Sequence, residues 1–217
     1  MVRIGAYPGT FDPPTVAHLA IAEAALRQGG LHRICLVVSR SPLGKDPAVP
    51  TFEHRLSVLS EVAASRPWLD VAVSEHTLIA DLANGYDAVV MGTDKWQQVC
   101  DPVWYGGSVR DRDAALDSLP RILLANRSGQ RKILTLPDGA LVLAVDEAHQ
   151  DVSSSAVRAG RLDWMAPEAA EFDIVTGAWS RPDRYPAEGG IAASPKLSAP
   201  ERGAPPDYPL SDAQSPG

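Results

Sequence analysis

The chain has 217 residues, 45% of them hydrophobic and 22% charged, which suits one soluble α/β domain with an extension. A formal net charge of −7 excludes a global basic field for a polyanion. Any phosphate ligand must be held by a local cluster, which favours small phosphorylated molecules and argues against nucleic acid as a partner.

The two cysteines, Cys35 and Cys100, have neither metal-ligand nor redox spacing. Cys35 lies inside an apolar run and reads as a buried, inert thiol. No secretory pattern opens the chain, and no apolar run approaches the ~20 residues that cross a bilayer. A cytoplasmic location with no membrane partner is expected.

In chain order, Val2–Ala6 reads as a buried strand, and a turn-rich segment then leads into a helix over Ala17–Gln28 stopped by Gly29 and Gly30. Ile34–Ser39 is a second strand, followed by a polar loop to Pro50. Thr51 is placed to N-cap a helix over Phe52–Ser65, with Leu56, Leu59 and Val62 on its apolar face. Asp70–Ser74, Ala88–Met91, Arg121–Ala125 and Leu141–Val145 complete the strands. Strands alternating with helices predict an α/β fold, a doubly wound, Rossmann-like parallel sheet with right-handed crossovers. From Arg181 onward Pro, Gly, Ser and Ala dominate with few bulky apolar residues. Residues 1–180 are therefore expected to form one domain, and residues 181–217 a disordered Pro-rich tail.

The chemistry concentrates in three places. The first is PGTFDPPTVAHL, Pro8 to Leu19, between the first strand and the first helix, where open α/β sheets bind ligands. Gly9 allows close backbone approach, and Thr10 and Phe11 follow it. Thr15 and His18 stand three residues apart at the helix start, where free N–H groups and positive potential favour phosphate. The second is DVSSSAVR, in which Ser153, Ser154 and Ser155 open a helix and Arg158 adds a forked cation one turn in. The third is VVMGTDKW, with Gly92 and Asp94 at a strand end. Lys45, in the polar loop, is either a solvated lysine or a phosphate contact. Trp96 and Trp104 are either packing aromatics or stacking surfaces for a base or pyridine ring. The remaining histidines lack convergent ligand spacing, so no protein-bound metal site is expected.

GTFDPPTVAH resembles the GTFDPxTxGH and GTFDPxHxGH signatures of the nucleotidylyltransferase superfamily, and DVSSSAVR is similar to its ISSTxxR element. GTDKW, SPLGK, FEHRLSVL and LPRILLANR resemble segments of its nicotinate-mononucleotide adenylyltransferase branch. The resemblance implies AMP transfer from ATP to a phosphorylated acceptor with release of pyrophosphate. It assigns catalysis to His18 and Thr15, and nucleotide binding to Gly9, Thr10, Phe11, His18, Gly92, Asp94, Ser153, Ser154, Ser155 and Arg158. Acceptor binding falls to Thr15, Lys45, Trp96 and Trp104. Mg²⁺ would be held mainly by nucleotide phosphates. Departures at Pro8, at Ala17 (glycine in the signature) and in SPLGK bear on substrate more than on reaction class. Transfer to pantetheine phosphate, or from CTP to a sugar or alcohol phosphate, stays open, as does a catalytically weakened nucleotide-binding protein. An oligomer is compatible with each.

Overall fold

Six parallel strands form the centre of the protein. They are β1 (Ile4–Pro8), β2 (Arg33–Ser39), β3 (Leu69–Ser74), β4 (Ala88–Gly92), β5 (Arg121–Ala125) and β6 (Leu141–Leu143), in the spatial order β3-β2-β1-β4-β5-β6. The computed structural model describes residues 1–42, 49–126 and 136–186. Around the sheet lie α1 (Val16–Gln28), α2 (Phe52–Ala64), α3 (Ile79–Ala83), α4 (Thr93–Cys100), α5 (Val109–Asp117), α6 (Ser154–Arg158) and α7 (Pro167–Thr176). Among the described residues, no helix is long and apolar enough to cross a membrane.

Near-continuous apolar strands are what a sheet covered on both faces requires. Along β2, Ile34, Leu36 and Val38 enter a core shared with α1, α2 and α7, while Cys35 and Val37 enter a second core with α3 and α4. Burial pushes the Cys35 thiol up to about 11, as expected of an inert cysteine. β1 begins two residues later than the sequence pattern suggests and runs on through Pro8. The motif therefore starts inside the sheet, and its turn leaves directly from a strand end.

Helix α2 is capped as expected, with the Thr51 side chain accepting from His54 N–H at 3.3 Å. Its buried face is Arg55, Val58, Leu59 and Val62, and Leu56 is only half-buried. A charged residue thus occupies the inner stripe.

Packing continues past the boundary expected after residue 180. Tyr185 is buried, and its hydroxyl meets His54 Nδ1 and accepts from Thr51 N–H at 3.4 Å. Residues 187–217, most of the expected tail, lie outside the described residues.

Helix α7 is pinned to the end of α2 by a mostly buried ion pair. Arg66 Nη1 and Ser65 Oγ each donate to Glu168 Oε1 at 2.7 Å. Burial opposes the charge on Glu168, but these hydrogen bonds outweigh it and hold its carboxyl below its ordinary value. A depressed carboxyl contributes stability above its unfolded pKa, ~4.3, and loses it as pH falls below that. In urea unfolding at pH 7, Glu168→Gln should therefore cost about 1–2 kcal/mol relative to wild type. The gap should close as the pH is lowered through 4; a gap independent of pH would contradict the assignment.

Candidate active site

The strand order reverses direction between β1 and β4, so the crossovers leave to opposite sides and a crevice opens at the carboxyl ends of these strands. A cleft of about 570 Å³ occupies that place. Gly9, Thr10, Phe11 and His18 line it from the β1–α1 turn, Gly92 and Asp94 from the β4–α4 turn, and Ser153, Ser154, Ser155 and Arg158 from the start of α6. Three motifs far apart in sequence thus converge on one cavity.

The β1–α1 turn is shaped from inside. Phe11 adopts a left-handed backbone with φ of 46°, unusual for a residue with a side chain, and its ring is fully buried. The ring meets Tyr7 edge-on at 5.5 Å and His18 at 5.1 Å between centroids. A Cβ on Gly9 would fall 2.7 Å from Phe11 Cζ, so only glycine leaves room for this ring. Across the turn, Arg55 of α2 is buried, and its Nη1 donates to the Thr10 carbonyl at 3.1 Å. Burial pushes the Arg55 guanidinium below its ordinary value, opposed by the carboxylate of Asp12.

Thr15 and His18 form a reciprocal cap on α1. The Thr15 hydroxyl accepts from His18 N–H at 3.4 Å, and His18 Nδ1 accepts from Thr15 N–H at 3.0 Å. Thr15 Oγ1 also lies 2.9 Å from Nδ1. With Nδ1 accepting from a backbone amide, the neutral ring carries its proton on Nε2. The ring lines the cleft, whereas Thr15 is fully buried and lies outside the lining. The catalytic and acceptor-binding candidate Thr15 therefore stands behind His18 rather than in the cleft wall, with its hydroxyl engaged by the helix cap and the imidazole.

The serine turn is similarly committed. Ser153 Oγ accepts from Ala156 N–H at 3.1 Å and Ser154 Oγ donates to the Pro13 carbonyl at 2.7 Å. Arg158 Nη2 donates to Ser155 Oγ at 3.4 Å, while Nη1 donates to the Asp12 carbonyl. The Ser153 and Ser154 hydroxyls build the turn, and the exposed Ser155 and the Arg158 guanidinium line this end of the cleft.

Trp96 is buried in the core under α4 rather than in the cleft, which corrects its candidacy as a stacking surface. Its place on the inner face of a short amphipathic helix explains this. Trp104, half-buried, does line the cleft beside Tyr105, and Leu78 and Ile79 add apolar wall. Asp94 is the second residue of α4, exposed to the cleft, and Gly92 is the N-cap. Lys45 lies outside the described residues. Ala17 is buried and outside the lining, so its methyl does not narrow the cleft. Among the described residues, no group of three His, Cys, Asp or Glu side chains could hold a metal ion.

Sequence reasoning missed Lys95, Gln98 and Tyr105 in the lining, and the parts of Asp12, Arg55 and Trp179 in holding the turn. Arg55 carried a signal, since it falls on the helical repeat of Val58, Leu59 and Val62. Trp179 carried none.

A doubly wound parallel sheet whose β1–α1, β4–α4 and α6 turns converge on a cleft at the switch point has the architecture of a nucleotide-binding α/β domain. Residues 6–160 match the cytidylyltransferase-like family, to which the chain belongs. Relatives include a probable nicotinate-nucleotide adenylyltransferase of Bordetella avium, 27% identical over 80% of this chain and 98% of that protein. Another of the same description from Bordetella pertussis is 27% identical over 81% and 96%. Among solved structures, Plasmodium falciparum nicotinic acid mononucleotide adenylyltransferase complexed with APC superposes with a TM-score of 0.62 at 17% identity, over 83% of this chain and 98% of that one. Its complex with NaAD gives 0.62 at 18% identity, over 81% and 96%.

The cap makes a direct prediction for His18. In ¹⁵N NMR at alkaline pH the neutral ring should be the Nε2–H tautomer, and Thr15→Val should lower stability by about 1 kcal/mol while Thr15→Ser lowers it little. A dominant Nδ1–H tautomer in the wild-type chain would contradict the cap.

Proposed function

We propose that this protein is a nicotinate-nucleotide adenylyltransferase, moving AMP from ATP to the phosphate of nicotinate mononucleotide and releasing pyrophosphate. The observation that carries this reading is one cleft lined by His18, by the Ser153–Ser155 turn with Arg158, and by Trp104. The names of the Bordetella relatives support the same acceptor.

In the proposed reaction an acceptor phosphate oxygen attacks the α-phosphorus of ATP, and the bond from that phosphorus to the bridging oxygen breaks. Such transfers depend on positioning and charge neutralisation more than on covalent chemistry. His18 Nε2–H donates to an α-phosphate oxygen, most strongly as charge shifts in the transition state. Arg158 and the amides of the serine turn hold the β- and γ-phosphates, and their charge favours departure of pyrophosphate. Asp94, which lines the cleft, accepts from the ribose hydroxyls in this reading, with Gly92 permitting close approach. The flat wall at Trp104 suits a pyridine ring better than a sugar or an alkyl chain. Donors facing the triphosphate end suit phosphate oxygens rather than a hard cation. Mg²⁺ is accordingly proposed to arrive on the nucleotide, where it would offset the phosphate charge. Both substrates are small and anionic, and soluble intracellular metabolites as substrates support a cytoplasmic location.

The test separates chemistry from binding. ATP with nicotinate mononucleotide should turn over faster than ATP with pantetheine phosphate or any CTP pair. His18→Ala should lower kcat by about 10²–10³, the scale of losing one transition-state donor, with ATP affinity changed only severalfold. Arg158→Ala should weaken ATP binding more than His18→Ala does. Better rates with another acceptor would reassign the substrate. ATP binding without pyrophosphate release for any acceptor would remove the enzyme reading.

A further inference from the structure

We infer that Trp179 and Asp12 form a positioning relay that sets Arg158 at the triphosphate end of the cleft. The C-terminal segment beyond the family match thereby takes part in nucleotide binding. The inference rests on the nucleotidyl-transfer reading above.

Asp12 is buried, and both of its carboxylate oxygens are engaged. Oδ1 accepts from Trp179 Nε1–H at 2.7 Å, across 167 residues of sequence. Oδ2 lies 3.4 Å from Arg158 Nη1, and the same nitrogen donates to the Asp12 backbone carbonyl. One buried residue therefore joins the C-terminal segment to the guanidinium that faces the cleft. Because the Trp179 N–H fixes the rotation of the Asp12 carboxylate, it also fixes where Oδ2 stands.

Trp179 is itself held in place. It is buried, its ring meets Phe172 at 5.8 Å between centroids, and its backbone N–H donates to Asp173 Oδ1 at 2.6 Å. The Ser180 N–H donates to the same Asp173 oxygen at 3.0 Å. Where α7 begins, Ala166 N–H donates to the Pro14 carbonyl at 3.0 Å, and Met165 bridges to Thr15. The segment from Met165 to Ser180 thus grips the β1–α1 turn at both of its ends.

Arg158 needs such a guide. Its side chain is 43% exposed, and a long arginine at that exposure samples many rotamers unless a partner selects one. Asp12 supplies both a charge and a carbonyl to the same nitrogen, an arrangement that orients the guanidinium as well as attracting it. Arg55, buried near Asp12, shares this carboxylate electrostatically. Neutralising Asp12 therefore also disturbs Arg55, and Trp179→Phe is the cleaner probe because it keeps an aromatic ring in place and the Asp12 charge intact while removing the N–H; the indole volume lost with it is read separately by thermal melting.

The experiment uses the full-length chain as wild type, Trp179→Phe, Arg158→Ala and the double variant. It reads KM for ATP, kcat for pyrophosphate release, ATP affinity by direct titration, and thermal melting. Trp179→Phe should raise KM and Kd for ATP about tenfold with kcat changed much less, the scale seen when a partner that orients a ligating group is lost. In the Arg158→Ala background the same change should add almost nothing, since the relay acts through Arg158. Equal effects of Trp179→Phe in both backgrounds, or a lowered melting temperature with unchanged ATP affinity, would make Trp179 a packing residue and overturn the relay. Should Trp179→Phe fail to fold, Asp12→Asn is judged by the same non-additivity with Arg158→Ala. Wild-type turnover without any ATP-affinity shift in the variants sinks the relay alone; absence of wild-type turnover and of ATP binding sinks the functional reading with it.

Discussion

The reciprocal cap between Thr15 and His18 is the constraint on which the rest of the site depends. A helix start leaves several N–H groups without partners, and here the first turn meets part of that need with the side chain that also faces the cleft. The bond that steadies the helix therefore fixes the tautomer and direction of the imidazole. Rotating His18 toward another partner would uncap α1, so local stability and site geometry cannot be separated. Phe11 reinforces this from below, its ring lodged against both Tyr7 and His18 in a space that exists because residue 9 has no side chain.

Around that turn the fold supplies braces from three directions. The sheet provides the origin, since β1 ends at Pro8 and points the turn into the crevice between itself and β4. Helix α2 inserts Arg55 beneath it and holds the Thr10 carbonyl. Helix α6 and the segment after it hold the far side, through Ser154 to Pro13 and Trp179 to Asp12. For the proposed reaction, a cleft in an acidic protein would neutralise phosphate charge with local dipoles and a few anchored cations rather than with net charge.

Much of the fold was legible in the sequence because the central parallel strands, buried on both faces, leave near-continuous apolar runs, as β2, β4 and β5 do, while the more exposed edge strands β3 and β6 showed only short apolar stretches. Their ends were less so: β1 runs to Pro8 because a strand edge is fixed by pairing with β2, which local pattern does not reveal. The site's anchors in the β1–α1, β4–α4 and α6 turns were legible because each combines a strand end or helix start with glycine, serine or charge. What stayed hidden was division of labour. Thr15 and His18 have the same spacing whether the threonine faces a ligand or the helix, and only burial distinguishes the two. Trp96 and Trp104 are equally aromatic in sequence, yet one lies on the inner face of α4 and the other at the rim of the cleft. Trp179 meets Asp12 through a contact of such long range that no local signal could mark it.

In the proposed reaction ATP lies across the β1–α1 and α6 turns with its α-phosphate at His18. A crystal structure of the full-length protein with a non-hydrolysable ATP analogue and Mg²⁺ tests this most directly. His18 Nε2 should lie within hydrogen-bonding distance of an α-phosphate oxygen, with the β- and γ-phosphates against the amides of residues 153–155 and the Arg158 guanidinium. Phosphates seated instead at the α4 side of the cleft, or outside the cleft altogether, with His18 untouched, would contradict this placement.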